Sequence, residues 1–263
     1  MKRTLKNRRI LLTGASSGIG AALALELAKE GADLVLLARR ENRLLEVAGQ
    51  IREKFGNNNK IATVAGDITD PAIRQRVVQT ALEELGGLDI LINNAGAGAT
   101  ALIEATTQET LRRIFEVNFF APLELTQLAL PYLKRGDQPM VVNLGSIVGL
   151  RGVPHYGVYG AAKFAVSGIS ETMRAEFSRD GIDVLLVCPG TTQTEFFDVL
   201  YQSSSAPDMP VHHAVTPEYV AIRVVRAMKK GKHKIIPYFQ AVILDYLNRY
   251  APCFTDWIMT KYV

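Results

Sequence analysis

Short runs of Ile, Leu and Val recur along the chain at 10–13, 34–38, 61–65, 89–92, 140–144 and 184–188. They lack polar alternation, as strands buried on both faces do. Between them the apolar spacing becomes helical. Ile19, Leu23 and Leu27 recur every four residues, as do Ile73, Val77 and Ala81, with Val78, Leu82 and Leu85 beside them. Gly31 and Gly86-Gly87 stand where helix C-caps belong, and Asp70-Pro71 reads as an N-cap followed by proline at the first helical position. A further helix is expected near 217–230 and a short strand near 233–236. Strands alternating with helices predict an α/β class: a single doubly wound domain over 1–263, with a parallel sheet of about seven strands flanked by helices.

Two stretches depart from the alternation. Residues 202–217, with Ser203, Ser204, Ser205, Pro207, Pro210, His212 and His213, show no period and are expected to form a mobile substrate loop. Residues 235–263 read as a C-terminal extension. There Ile236, Phe239, Val242, Ile243, Tyr246, Leu247 and Tyr250 fall at near-helical spacing, followed by Phe254, Trp257 and Ile258. Packing on the core or on a subunit neighbour is the expected use of such a stripe, and reversible contact with lipid the alternative.

Composition is ordinary for a globular protein, at 48% apolar and 21% charged over 263 residues, which excludes a disordered or fibrous chain. Two cysteines, Cys188 and Cys253, make no disulfide framework and point to a reducing, cytoplasmic setting. The net charge of +4 is uneven. Lys2, Arg3, Lys6, Arg8 and Arg9 crowd the start with no acid among them, and Arg223, Arg226, Lys229, Lys230, Lys232 and Lys234 form a second basic run. A solvated tail and a basic last helical turn are preferred over a nucleic-acid or lipid surface. No zinc-finger spacing or aromatic RNA motif is present, so neither a metal nor a nucleic-acid partner is expected. Nothing resembles a secretory signal or a membrane span.

The first strand runs into Thr13-Gly14-Ala15-Ser16-Ser17-Gly18-Ile19-Gly20 and then a helix. Glycines at such a turn let a pyrophosphate approach the backbone, and the helix start offers free N–H groups and a positive dipole end. The spacing resembles the TGxxxGxG loop of the short-chain dehydrogenase/reductase family, and the resemblance extends over about 8–195. It implies that Gly14, Ser16, Ser17, Gly18, Ile19 and Gly20 cradle a dinucleotide. At the end of the second strand, where NAD sites usually carry an acid, this chain has Ala38-Arg39-Arg40. A guanidinium suits a 2′-phosphate, so NADP(H) is the expected cofactor, with Arg39 and Arg40 as its candidates. Ser17 stands where many NADP-preferring relatives have a second basic residue, which sets the expected preference at the modest end. Asp67 and Ile68 resemble the family's adenine contacts. Asn94, Ala95 and Gly96 lie in its NNAG motif, and Pro189, Gly190, Thr192 and Thr194 lie in the segment that closes over the nicotinamide.

Tyr159 and Lys163 stand four residues apart and share a helix face, with Ser146 thirteen residues earlier at a strand end. Carbonyl reduction needs a proton donor beside a hydride donor. A nearby ammonium is expected to lower the tyrosine's pKa, which makes it a general acid or base near neutrality. The resemblance implies a catalytic set of Ser146, Tyr159, Lys163 and Asn118, the last in a helix kink. It also implies that Tyr159 and Lys163 touch the cofactor, Lys163 through the nicotinamide ribose. Ser146, Val148, Tyr156 and Tyr159 are the expected substrate contacts, with Val153, His155, Phe196 and Phe197 walling the pocket. The expected activity is an NADP(H)-dependent oxidoreductase acting on a ketone, aldehyde or secondary alcohol of apolar or amphipathic character. Epimerisation or dehydration on the same scaffold, and a non-catalytic NADPH-binding regulator, are the alternatives. A homodimer or homotetramer is the family's habit.

Overall fold

In the computed structural model, residues 3–197, 200–203 and 214–262 are described. Nine strands follow one another: β1 (Arg9–Thr13), β2 (Asp33–Ala38), β3 (Ile61–Ala65), β4 (Ile90–Asn93), β5 (Gly98–Thr100), β6 (Met140–Leu144), β7 (Asp183–Val187), β8 (Leu200–Ser203) and β9 (Lys234–Ile235). Seven of them build one parallel sheet in the order β3-β2-β1-β4-β6-β7-β9, the class and strand number that the hydrophobic runs predict. Registers such as Ile10↔Leu34 and Ile10↔Ile90 align the strands so that all their carboxyl ends share an edge.

Both faces are covered. Ile10, Leu12, Leu34 and Leu36 point to one side, against α1 (Gly18–Lys29), α2 (Glu41–Phe55) and α7 (Pro217–Lys229). The alternate residues Leu11, Val35 and Leu37 point to the other, against α3 (Pro71–Leu85), α5 (Ala121–Leu133) and α6 (Gly157–Phe177). Helix boundaries follow the local chemistry. The Asp70 carboxylate accepts from the Ala72 amide at 2.8 Å, and Gly86 ends α3 in the left-handed conformation. The order in which strands are laid down reverses between β1 and β4, which opens a crevice at the carboxyl edge where α/β sheets bind ligands.

Two expectations are corrected. The basic start is not a solvated tail. Arg3 pairs with Asp183 at 2.7 Å, Arg8 with Asp137, and Arg9 clasps Asp89 at 2.5 and 3.0 Å, all at the amino edge of the sheet. Burial pushes the Asp89 carboxyl up, but bonds from the Arg9 side chain and backbone and from the Asp137 amide hold it below the usual carboxylate range. The 202–217 stretch is structured at both ends: Gln202 and Ser203 finish β8, which pairs with β5, and Pro217 opens α7 behind a Thr216 cap. Residues 204–213 lie outside the described residues. The C-terminal stripe folds into α8 (Phe239–Tyr250) and α9 (Pro252–Met259); Ile236 packs on a core cluster, while Phe239 is 75% exposed and Tyr250 76%. Among the described residues no helix is long and apolar enough to cross a membrane.

Candidate active site

The crevice is built by backbone fit. Gly14 takes φ +66°, and a Cβ there would lie 2.8 Å from the Ala95 Cα. A Cβ on Gly20 would lie 2.0 Å from the Gly14 carbonyl oxygen, so only glycine lets the loop fold back on the start of α1. The Asn94 amide group donates to the Thr13 and Gly14 carbonyls at 2.9 and 3.1 Å, and the Thr13 hydroxyl accepts from the Asn94 and Ala95 amides. These bonds close the end of β1 onto the end of β4. Thr194 lies over Gly18, within 2.9 Å of where a Cβ would stand, so the 189–194 segment roofs the glycine loop.

The far end of the crevice carries a network of charged side chains. Arg40 donates to the Ser17 hydroxyl at 2.7 Å and to Glu195 at 2.8 Å. Arg39 is exposed and, among the described residues, meets only the Tyr201 hydroxyl, at 3.4 Å. Arg113, on α4 (Gln108–Phe115), bonds the same hydroxyl at 3.0 Å, Asp67 at 2.6 Å and Thr69 at 3.1 Å. Burial pushes Asp67 up, while the Thr69 amide and hydroxyl and the Arg113 guanidinium bring it below its ordinary value. Ile68 is buried against the sheet. Arg113, Tyr201 and Glu195 were not legible as members of this end. They are scattered in sequence, and only the β5–β8 pairing brings the later two back over the crevice.

The opposite end is dry. Tyr159 and Lys163 project from one face of α6, exposed by 9% and 4%. Ser146 ends the loop after β6; its hydroxyl accepts from the Val148 amide at 3.3 Å and is hydrogen-bonded to Tyr159. Lys163 Nζ donates to the Leu144 carbonyl at 2.8 Å and sits 5.8 Å from the Tyr159 ring centre. Burial dominates both groups. It lowers Lys163 to about 8 and raises Tyr159 well above its ordinary value, with the Ser146 bond pulling only weakly the other way. Tyr159 is thus raised, not lowered as expected: burial sets its shift, and Lys163 is not among the groups that act on it.

Val148, Tyr156, Val158 and Phe196 pack around Tyr159, with the Phe196 ring 5.4 Å from its own. His155 stands on the same loop at φ +65°, its carbonyl accepting from Ala101. The Phe197 side chain lies outside the described residues. Asn118 occupies a π-helical turn over Glu116–Phe120, the expected kink, and donates to the Ala97 and Ile114 carbonyls at 2.8 and 2.9 Å. Beside it, Asn93, Thr126, Asn143 and Lys163 line a small pocket of about 20 Å³, room for one water. The Ile147 amide donates to the Pro189 carbonyl at 2.9 Å, which ties the Ser146 loop to the crevice roof. One site thus joins a phosphate-sized cradle to a buried Ser-Tyr-Lys cluster.

A family profile described as short chain dehydrogenase matches residues 8–204. The chain belongs to the short-chain dehydrogenase family. A relative within it, 11-beta-hydroxysteroid dehydrogenase A of Sesamum indicum, is 32% identical over 95% of this chain and 73% of its own length. The structure of a short-chain dehydrogenase/reductase from Burkholderia phymatum in complex with NAD is similar at TM-score 0.85, with 23% identity over 96% of both chains, and speaks for the fold. The alcohol dehydrogenase of Thermococcus sibiricus, complexed with 5-hydroxy-NADP, is similar at TM-score 0.76 and 26% identity over 86% of this chain and 94% of that one. Membership makes the chain one of an oxidoreductase family of nicotinamide-nucleotide enzymes.

Proposed function

We propose that this short-chain dehydrogenase uses NADP(H) to interconvert an apolar or amphipathic ketone or aldehyde with its alcohol. The observation that carries the reading is the buried Tyr159–Lys163 pair on one face of α6, with Ser146 beside Tyr159, at the inner end of the crevice. The chain fits the nucleotide: Gly14 and Gly20 let the loop close tightly on the start of α1, where N–H groups can meet a pyrophosphate, and Arg39 has donors turned to solvent for a 2′-phosphate. Ser16, Ser17, Gly18 and Ile19 complete the cradle, and Arg40 braces it through Ser17. Asp67 and Ile68 hold the adenine, Asn94, Ala95 and Gly96 the ribose, and Pro189, Gly190, Thr192 and Thr194 the nicotinamide.

NADPH supplies the hydride. Ser146 donates to the substrate oxygen and fixes its position. Tyr159 keeps its proton, because burial disfavours the phenolate, and gives it to the oxygen as negative charge develops there. Lys163 holds the nicotinamide ribose and, with a pKa near 8, is mostly protonated at neutrality, so it can return a proton to Tyr159. Asn118 holds the turn that positions it. Val148, Tyr156 and Phe196 supply an apolar wall for the substrate. The exposed apolar residues Leu111, Phe120, Leu128 and Phe164 give α4 to α6 a surface suited to a homo-oligomer.

The deciding experiment follows NADPH absorbance over a panel of ketones and aldehydes of increasing chain length. The reading expects consumption with apolar members. An enzyme that binds NADPH with no turnover on any member, in either direction, is a regulator instead.

A further inference from the structure

Helices α8 and α9 hold seven of the sixteen large apolar side chains exposed among the described residues, within the span 239–257. On α8 they are Phe239, Ile243, Tyr246, Leu247 and Tyr250, which at 3.6 residues per turn fall in one stripe about 100° wide. Phe254 and Trp257 are exposed on α9, and the aromatic rings stack in pairs, Tyr246 on Tyr250 at 6.2 Å and Phe254 on Trp257 at 5.9 Å. The inner side of α8 is tied down by Ala241 and Asn248. An exposed stripe of this size on a firmly held helix pair needs an occupant.

Charge points to what that occupant is. The two acids of the pair are already neutralised, Asp245 by Lys234 at 3.2 Å and Asp256 by Arg151 at 2.6 Å. Arg249, at the flank of the stripe, and Lys261, 3.8 Å from the Trp257 ring centre, have no acidic partner among the described residues. The face is therefore an aromatic stripe edged by uncompensated cations. Tyr and Trp beside Lys and Arg suit the boundary between headgroups and acyl chains of an anionic bilayer.

The pair is fastened to both loops at the chemical end of the crevice. Arg151 donates to Asn248 at 2.8 Å, and Asn248 donates to the Leu150 carbonyl at 3.2 Å, which fixes α8 on the loop that follows Ser146. Tyr238, just before α8, lies against Gly190, where a Cβ would come within 2.7 Å of its ring.

We infer that α8 and α9 form an anchor that lies on an anionic membrane surface and holds the mouth of the site against it. For the substrate this rests on the proposed oxidoreductase reading and narrows it to a ketone or alcohol dissolved in the bilayer. The anchoring itself needs no catalysis.

Trp257 is the single tryptophan of the chain, so its fluorescence reports on the stripe directly. The full-length protein is sedimented with phosphatidylcholine vesicles containing phosphatidylserine, and with phosphatidylcholine alone, at low and high salt. The anchor predicts salt-sensitive binding to the anionic vesicles and a blue shift of Trp257 emission. Tyr246→Ser/Tyr250→Ser, which keeps Trp257, should weaken vesicle binding at least about tenfold without changing the melting temperature or turnover of a short soluble ketone. Arg249→Gln and Lys261→Gln should each weaken it about fivefold. Absence of binding to either vesicle overturns the anchor. So does a Trp257 shift that depends on protein concentration alone, with loss of a dimer in the tyrosine variant, since a second copy then covers the stripe. Vesicle binding by a protein with no carbonyl activity would keep the anchor and remove the oxidoreductase reading.

Discussion

The two ends of the crevice are built on opposite principles. At the Tyr159 end, side chains are buried, and backbone groups fix them: Lys163 to the Leu144 carbonyl, Asn118 to those of Ala97 and Ile114. At the Arg39 end, exposed side chains hold one another, through Tyr201, Glu195 and Ser17. Desolvation sets protonation at the first end. At the second, ion pairs sit in water, where each contributes little and is easily exchanged for a ligand's phosphate. Chemistry should therefore be lost sharply by single changes at the buried end, while changes at the charged end should retune affinity and leave turnover in place.

The largest test of that contrast is Tyr159→Phe, which keeps the ring and removes the proton. It should lower kcat by about 10²–10⁴ while NADPH still binds. Near-normal turnover would break the assignment of this end. Next comes the pH profile. Lys163 is charged below its pKa of about 8 and neutral above it, so kcat/KM for reduction should be level below that point. Above it the value should fall roughly tenfold per pH unit as the ammonium is lost. Lys163→Met should be slow at every pH and show no such break; a wild-type profile level to pH 10 would mean that another group supplies the proton.

How far the sequence reaches also divides along this line. The sheet was legible because strands buried on both faces announce themselves as unbroken Ile, Leu and Val runs. So was the buried end, because Tyr159 and Lys163 share one helix and Ser146 sits at a strand end. The pairing of β5 with β8 was not, since three- and four-residue strands carry too few positions for a period. Nor was the role of Arg3, Arg8 and Arg9, whose partners Asp183, Asp137 and Asp89 come from three later turns of the chain. The stripe at 239–257 was visible, but only the fold shows that it faces outward.

At the charged end, Arg39→Ala should reduce the NADPH-over-NADH ratio of kcat/KM by about tenfold, the worth of one charge-assisted contact, by weakening NADPH and sparing NADH. Ala38→Asp should do more, because its carboxylate repels a 2′-phosphate. An unchanged ratio in both variants would move the discriminating residue elsewhere, with Arg113 next in line. The smallest effect is expected from Tyr201→Phe. It removes the oxygen shared by Arg39 and Arg113 at an exposed position, so the NADPH Kd should change by about twofold or less, with kcat untouched. A large fall in kcat there would erase the distinction between the two ends.

The bonds that Arg3 makes with Asp183 and with the Lys229 carbonyl at 2.9 Å have a consequence for how the molecule is made. On the ribosome, the first hundred residues can assemble only β3-β2-β1-β4, and the outer edge of β4 stays unpaired until β6 is synthesised. The clasp on the opening residues waits longer still, for α7. Through most of translation the nascent chain therefore exposes an apolar strand edge, and its beginning is locked only when the chain is nearly complete. A pause between β4 and β6 is where aggregation or chaperone capture should concentrate.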